Sequence, residues 1–163
     1  MYTNYWYAHK VTTPSETVIS DAENLLALDQ QVCFGLSVAA RSVIGLYRPL
    51  LEPLGLTHPQ YLVMLALWEQ EPRRVGDLAA ALELDPGTLS PLLKRLEATG
   101  FVVRKRDRAD ERALAVVLTD KGRALREEAL AIPPAIVARL GMPLEELRDL
   151  HTRLTSLIAA ATS

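Results

Sequence analysis

From Leu25 to Leu50 the apolar positions Leu25, Leu28, Val32, Leu36, Ala39, Val43, Leu46 and Leu50 fall three and four residues apart, which places them on one face of a helix. This spacing predicts a long first helix ending near Pro53. Thr57 stands before His58-Pro59 as a cap followed by an early proline, and the first amides of a helix have no internal partner to lose. Tyr61, Leu62, Leu65 and Trp68 carry this second helix toward Glu71-Pro72, which closes it. Val75, Leu78, Ala79 and Leu82 mark a short third helix, and Asp85-Pro86-Gly87-Thr88 has the cap-and-proline form of a helix start. The fourth helix carries Leu89, Leu92, Leu93 and Leu96 on one face and Thr88, Ser90, Lys94 and Arg95 on others, and stops at Gly100.

Two apolar, β-branched stretches, 101–106 and 113–118, flank the polar segment 107–112 and read as a hairpin. Thr119-Asp120-Lys121-Gly122 begins another helix, broken at Pro133-Pro134, and Pro143 opens the last. There Leu147, Leu150, Leu154, Leu157 and Ala161 form a stripe that wants a partner helix. Residues 1–20 follow neither period and are expected to be a tail. The fold class expected is mainly α with a small β-hairpin wing: a winged helix-turn-helix over 57–119, flanked by helices over 21–56 and 120–163, all in one domain. An α+β domain whose helix pairs merely pack fits the periodicity equally well.

Composition narrows the choice. The chain of 163 residues is 49% hydrophobic and 23% charged. It shows no run of 18 uncharged apolar residues and no signal peptide, so it is expected to be soluble, cytoplasmic and free of the membrane. A single cysteine, Cys33, permits no intrachain disulfide and no cysteine-rich zinc site. No metal or cofactor is called for. The net charge of -2 does not suggest a nucleic-acid binder, so any such contact has to come from a local patch. Between Lys94 and Arg112 seven basic residues stand against four acidic ones. That excess favours the DNA-binding reading over the merely packed one.

A helix whose first turn presents small hydroxyls fits the major groove, with Thr88 and Ser90 near base edges or phosphates and Lys94 or Arg95 on the backbone. The wing tip would reach the adjacent minor groove, where the guanidinium of Arg112 suits a narrow, strongly negative channel. Asp110, two residues earlier, would orient it by a charge-assisted bond or form a solvated ion pair with it.

The segment from Asp110 through Arg112, after a capped recognition-type helix, resembles the wing motif of the MarR family of bacterial regulators. The stretches 28–34 (LDQQVCF), 47–51 (YRPLL), 59–62 (PQYL) and 85–92 (DPGTLSPL) resemble its organic-hydroperoxide-resistance regulators. The resemblance implies a homodimer knit by first and last helices and bound to a palindromic double-stranded DNA operator. Release follows oxidation of a cysteine in the first helix, a position matched by Cys33. It also implies two tyrosine hydroxyls that stabilise the thiolate. Tyr47 matches one; the second falls at His58, where an imidazole replaces the phenol and can still donate. With no second cysteine, oxidised Cys33 needs an outside partner, expected to be a low-molecular-weight thiol. Cys33 and Tyr47 are fourteen residues apart on one predicted helix, about 21 Å along its axis, so a Tyr47 that serves Cys33 comes from the other subunit.

Other readings stay open at this point. A lone cysteine on a helix edge is more often an inert small hydrophobe, which would leave a regulator controlled by a small phenolic ligand. A thiol peroxidase would use Cys33 as a nucleophile through the same first step, but has no need of a basic recognition surface. The chain is therefore expected not to be an enzyme.

Overall fold

The computed structural model describes residues 26–106 and 113–162. The chain falls into two compact units, Met1–Arg41 and Ser42–Ser163. Within the first, a 3-10 turn at Leu28–Gln30 precedes helix α1, Val32–Leu51, whose opening residues it holds. The helix thus begins later than its apolar period, which extends back through Leu28. It runs through Gly45 without a break and gives way at its far end to a 3-10 turn, Glu52–Leu54, that closes on Gly55 in the left-handed region at φ 68°.

The second unit continues with α2 (His58–Glu69), β1 (Arg73–Arg74), α3 (Val75–Ala81), α4 (Pro86–Ala98), β2 (Val102–Arg106), β3 (Leu114–Leu118), α5 (Asp120–Ala129), α6 (Ile132–Leu140) and α7 (Leu144–Thr162). The sheet is antiparallel in the order β1-β3-β2, with Val102 opposite Leu118, Arg104 opposite Val116 and Arg73 on the other flank of Val116. β1 adds to the expected hairpin. Two arginines carry no apolar alternation, so nothing in their pattern announces a strand. The proline pair also acts differently from expected. The helix after Thr119 has already ended when Pro133 and Pro134 occupy the first turn of α6, where their missing amides cost no hydrogen bond. Three helices, rather than two, follow the wing.

The core of this unit follows the predicted faces of α3 and α4, but α2 turns a different face inward. Tyr61 is buried as expected, whereas Leu62 and Leu65 stand 39% and 41% exposed and Val63, Met64 and Leu67 are buried instead, because α2 is apolar on nearly every side and its spacing singles out no one face. Met64 and Leu67 of α2, Leu78 of α3, and Leu89, Leu93 and Leu96 of α4 are fully buried with Val102 and Val116 of the sheet. Trp68 Nε1 donates to the carbonyl of Gly122 at 2.9 Å and so ties α2 to α5. No residue of α7 is buried, and Leu150, Leu157 and Ile158 stand 41–47% exposed. No helix among the described residues is long and apolar enough to cross a membrane.

Candidate functional site

Helix α4 is positioned before it offers anything outward. Leu84 N donates to Ala79 O at 2.9 Å, and Glu83 at φ 52° turns the chain between α3 and α4. Asp85 then caps α4: Thr88 N donates to Oδ1 at 2.9 Å, and Thr88 Oγ1 donates to Oδ2 at 2.6 Å. These bonds, the hydroxyl's first, hold the Asp85 carboxyl below its usual range. With Leu89, Leu93 and Leu96 inside, the outer side carries Thr88, Lys94 and Arg95, all exposed. Ser90 is only half-buried and sits toward the flank. Gly87 and Pro91, not singled out from the sequence, belong to the same exposed side; helical spacing from Lys94 and Thr88 would have found them.

The far end of α4 is clasped to the sheet. Arg104 donates to Glu97 through its backbone N at 3.0 Å, Nε at 2.9 Å and Nη2 at 2.6 Å. Arg104, counted in the basic patch, is therefore largely neutralised, and the outward charge of the described segment rests on Lys94, Arg95, Lys105 and Arg106. Asp110 and Arg112, the expected wing-tip pair, lie outside the described residues.

The clasp has a testable pH dependence. The Arg104 side chain, foremost, draws the Glu97 carboxyl below its usual range. A carboxylate depressed in the folded state stabilises fully above its unfolded pKa, and that stabilisation is lost as pH falls through the folded value. Both side chains keep a little over a quarter of their exposure, so solvent screening trims the effect. Glu97→Gln is expected to cost about 1 kcal/mol at pH 7, with the wild-type and variant denaturation curves converging as the pH is taken below the carboxylate range. Parallel curves at all pH values would show the clasp to be energetically silent.

Cys33 stands near the start of α1, exposed. Tyr47 and His58 are brought together in the second unit, ring centroids 5.0 Å apart and edge-to-face. Tyr61 continues the cluster 6.0 Å from Tyr47, and Trp68 lies 6.3 Å beyond Tyr61. Burial pushes the His58 pKa down, so at neutral pH the ring is uncharged and offers one N–H rather than a cation. Burial, and secondarily Tyr47, push the Tyr61 phenol up. Tyr61 is itself fully buried within the core.

The chain is similar to known transcriptional regulators. A family model described as transcriptional regulator SarA/Rot matches residues 45–129. The HTH-type transcriptional regulator TtmR of Methylorubrum extorquens is 45% identical over 149 residues, covering 90% of this chain and 76% of TtmR. The organic hydroperoxide resistance transcriptional regulator of Bacillus subtilis is 41% identical over 133 residues, covering 82% of this chain and 90% of that protein. Among solved structures, reduced AbfR of Staphylococcus epidermidis bound to DNA superposes with a TM-score of 0.70 at 33% identity, over 86% of this chain and 99% of that one.

Proposed function

Because the chain belongs to the MarR family of winged helix-turn-helix transcriptional regulators, we propose that it is a homodimeric repressor that holds a palindromic operator when reduced and leaves it when an organic hydroperoxide oxidises Cys33. The observation that carries the reading is an exposed lone thiol on the first helix of a chain 41% identical to a regulator of organic hydroperoxide resistance. The Cys33 thiolate attacks the terminal peroxide oxygen; an S–O bond forms, the O–O bond breaks, and the alkoxide leaves as the alcohol after taking a proton. A low-molecular-weight thiol then displaces the sulfenic oxygen as water and leaves a mixed disulfide. The same first step would serve a thiol peroxidase, and steady-state turnover of hydroperoxide with excess thiol, expected to be absent here, separates sensor from enzyme.

On DNA, α4 enters the major groove, with Thr88 and Ser90 at base edges and Lys94 and Arg95 at phosphates, while Arg112, oriented by Asp110, reaches the minor groove from the wing. The apolar stripe of α7 and the outer face of α1 pack against the same surfaces of the second copy, and the exposure of Leu150, Leu157 and Ile158 in the single chain supports this assignment. The test is sedimentation of the reduced protein alone and with a selected operator, with footprinting of the complex. A dimer protecting two half-sites about one helical turn apart is expected; a monomer, or unselective binding, would refute the reading.

Tyr47, backed by neutral His58, donates to the Cys33 thiolate of the other subunit. Fourteen residues of helix keep it from its own. In a heterodimer of a Cys33→Ser subunit with a Tyr47→Phe subunit, the surviving cysteine faces an intact Tyr47. Stopped-flow oxidation of that cysteine is expected at the wild-type rate. The slow rate of the Tyr47→Phe homodimer would instead place the donor in the same subunit.

A second reading has one observation in its favour. A hollow of about 220 Å³ between α2 and the α5–α6 segment, lined by Tyr61, Leu65, Trp68, Arg126 and Pro133, has the size and apolar walls for a single aromatic ring. Under that reading a phenol, and not peroxide, releases the operator.

A further inference from the structure

The hydroxyl of Thr88 has its proton committed. The 2.6 Å bond joins Thr88 Oγ1 to Asp85 Oδ2 while Oδ1 receives Thr88 N. An ionised carboxylate has no hydrogen to offer, so the proton in that bond is the threonine's, and the depressed pKa of Asp85 keeps it ionised throughout the neutral range. What Thr88 Oγ1 turns outward, from an exposed position in the first turn of α4, is lone pairs alone. One neighbour preserves this: Gly87 leaves the carboxylate its seat, since a Cβ there would lie 2.9 Å from Asp85 Oδ1.

A phosphate oxygen is also only an acceptor, and the Asp85 charge beside it adds repulsion, so Thr88 is mismatched to the DNA backbone. In the major groove the hydrogen-bond donors are the exocyclic amino groups of cytosine and adenine. We infer that Thr88 is a specificity-determining residue that accepts from such an amino group in each half-site, and that Asp85 is the positioning residue that fixes it in the accepting role. The inference rests on the DNA-binding reading of α4 and narrows the choice between base edge and phosphate that the sequence leaves open.

The test uses the full-length reduced protein and its selected operator, measured by fluorescence anisotropy. Duplexes are prepared in which pyrimidin-2-one replaces single cytosines, or purine replaces single adenines, so that only the amino group is lost. One position per half-site is expected at which the loss weakens wild-type binding about tenfold per half-site; whether the pyrimidine or the purine analogue does so identifies the base. Thr88→Val, which loses the contact in both half-sites, should weaken the natural operator by the same factor as a duplex carrying the analogue in both half-sites, lose nothing more on that doubly substituted duplex, and keep the wild-type salt slope and affinity for random duplex. Thr88→Ser should restore wild-type behaviour. Asp85→Asn, which still caps the helix but can donate to Thr88 Oγ1 and free its proton, should bind while discriminating at that position less than about threefold, well short of the wild-type factor. Thermal melting of each variant separates these effects from misfolding. Thr88→Val weakening operator and random duplex alike with a shallower salt slope, as a lost phosphate contact would, overturns the inference, as does a loss additive with every analogue. A wild-type protein that selects no sequence overturns the reading of α4 itself.

Discussion

Cys33→Ser protein is expected to fold, dimerise and bind the operator as tightly as the wild type, and to remain bound at hydroperoxide concentrations that empty the wild-type operator. The serine differs from the cysteine by one atom, and its hydroxyl can still accept from Tyr47 of the other subunit, so the folded dimer has little reason to change. The reaction, however, needs a thiolate. An alcohol at neutral pH is neither ionised nor able to climb the oxidation ladder of sulfur, so the response should disappear rather than diminish. In an anisotropy titration the wild-type curve collapses on peroxide addition and the Cys33→Ser curve stays where it was. A serine variant that still lets go of DNA would place the sensor elsewhere and revive the phenol reading.

Gly122→Ala is expected to be the most damaging conservative change in the described core, costing about 3 kcal/mol and roughly 10 °C in Tm. Gly122 is buried in the first turn of α5, where a Cβ would collide with the carbonyl of Phe101 and press on Leu118. Neither side can yield freely. Phe101 O accepts from Thr119 N at 3.0 Å, Thr119 Oγ1 accepts from Gly122 N at 3.0 Å, and Gly122 O receives Trp68. A displaced α5 therefore loses its cap and its tie to α2 together. Gly76, in α3, is the control, because a methyl group added there would meet nothing within 4 Å. Gly76→Ala should stabilise by about 0.5–1 kcal/mol. Equal melting temperatures for the two variants would show that the close approach at Gly122 relaxes at no cost.

The contrast between these glycines marks how far the chain can be read by pattern. Both look alike in sequence, and only the packing of α5 on the wing distinguishes them. Local signals carried well: Asp85 and Pro86 begin α4, Thr57 begins α2 through bonds from its N and Oγ1 to Gln60 Oε1 at 2.8 and 2.9 Å, and the leucines of α4 face inward as their spacing requires. Signals that depend on distant partners did not. Arg104 counted as one more positive charge because Glu97, seven residues away, is its neighbour only once α4 folds against β2. β1 is too short for any period, and Pro133-Pro134 can end one helix or begin another until the residues before them are seen to have left α5. The family resemblance implies a role beside Cys33 for both Tyr47 and His58, but not their contact with each other. Nothing in the spacing of two rings eleven residues apart, across a turn, announces a 5.0 Å edge-to-face contact.

One measurement bears most directly on the proposal that oxidation of Cys33 controls DNA binding. Reduced protein on a fluorescent operator is titrated with an organic hydroperoxide in the presence of a small thiol, and each point is split between anisotropy and intact-mass analysis. The fraction of operator released should track the fraction of chains carrying a mixed disulfide on Cys33, point for point, and thiol excess should return both to the start. Operator that stays bound while the mass shows Cys33 fully converted would contradict the proposal outright.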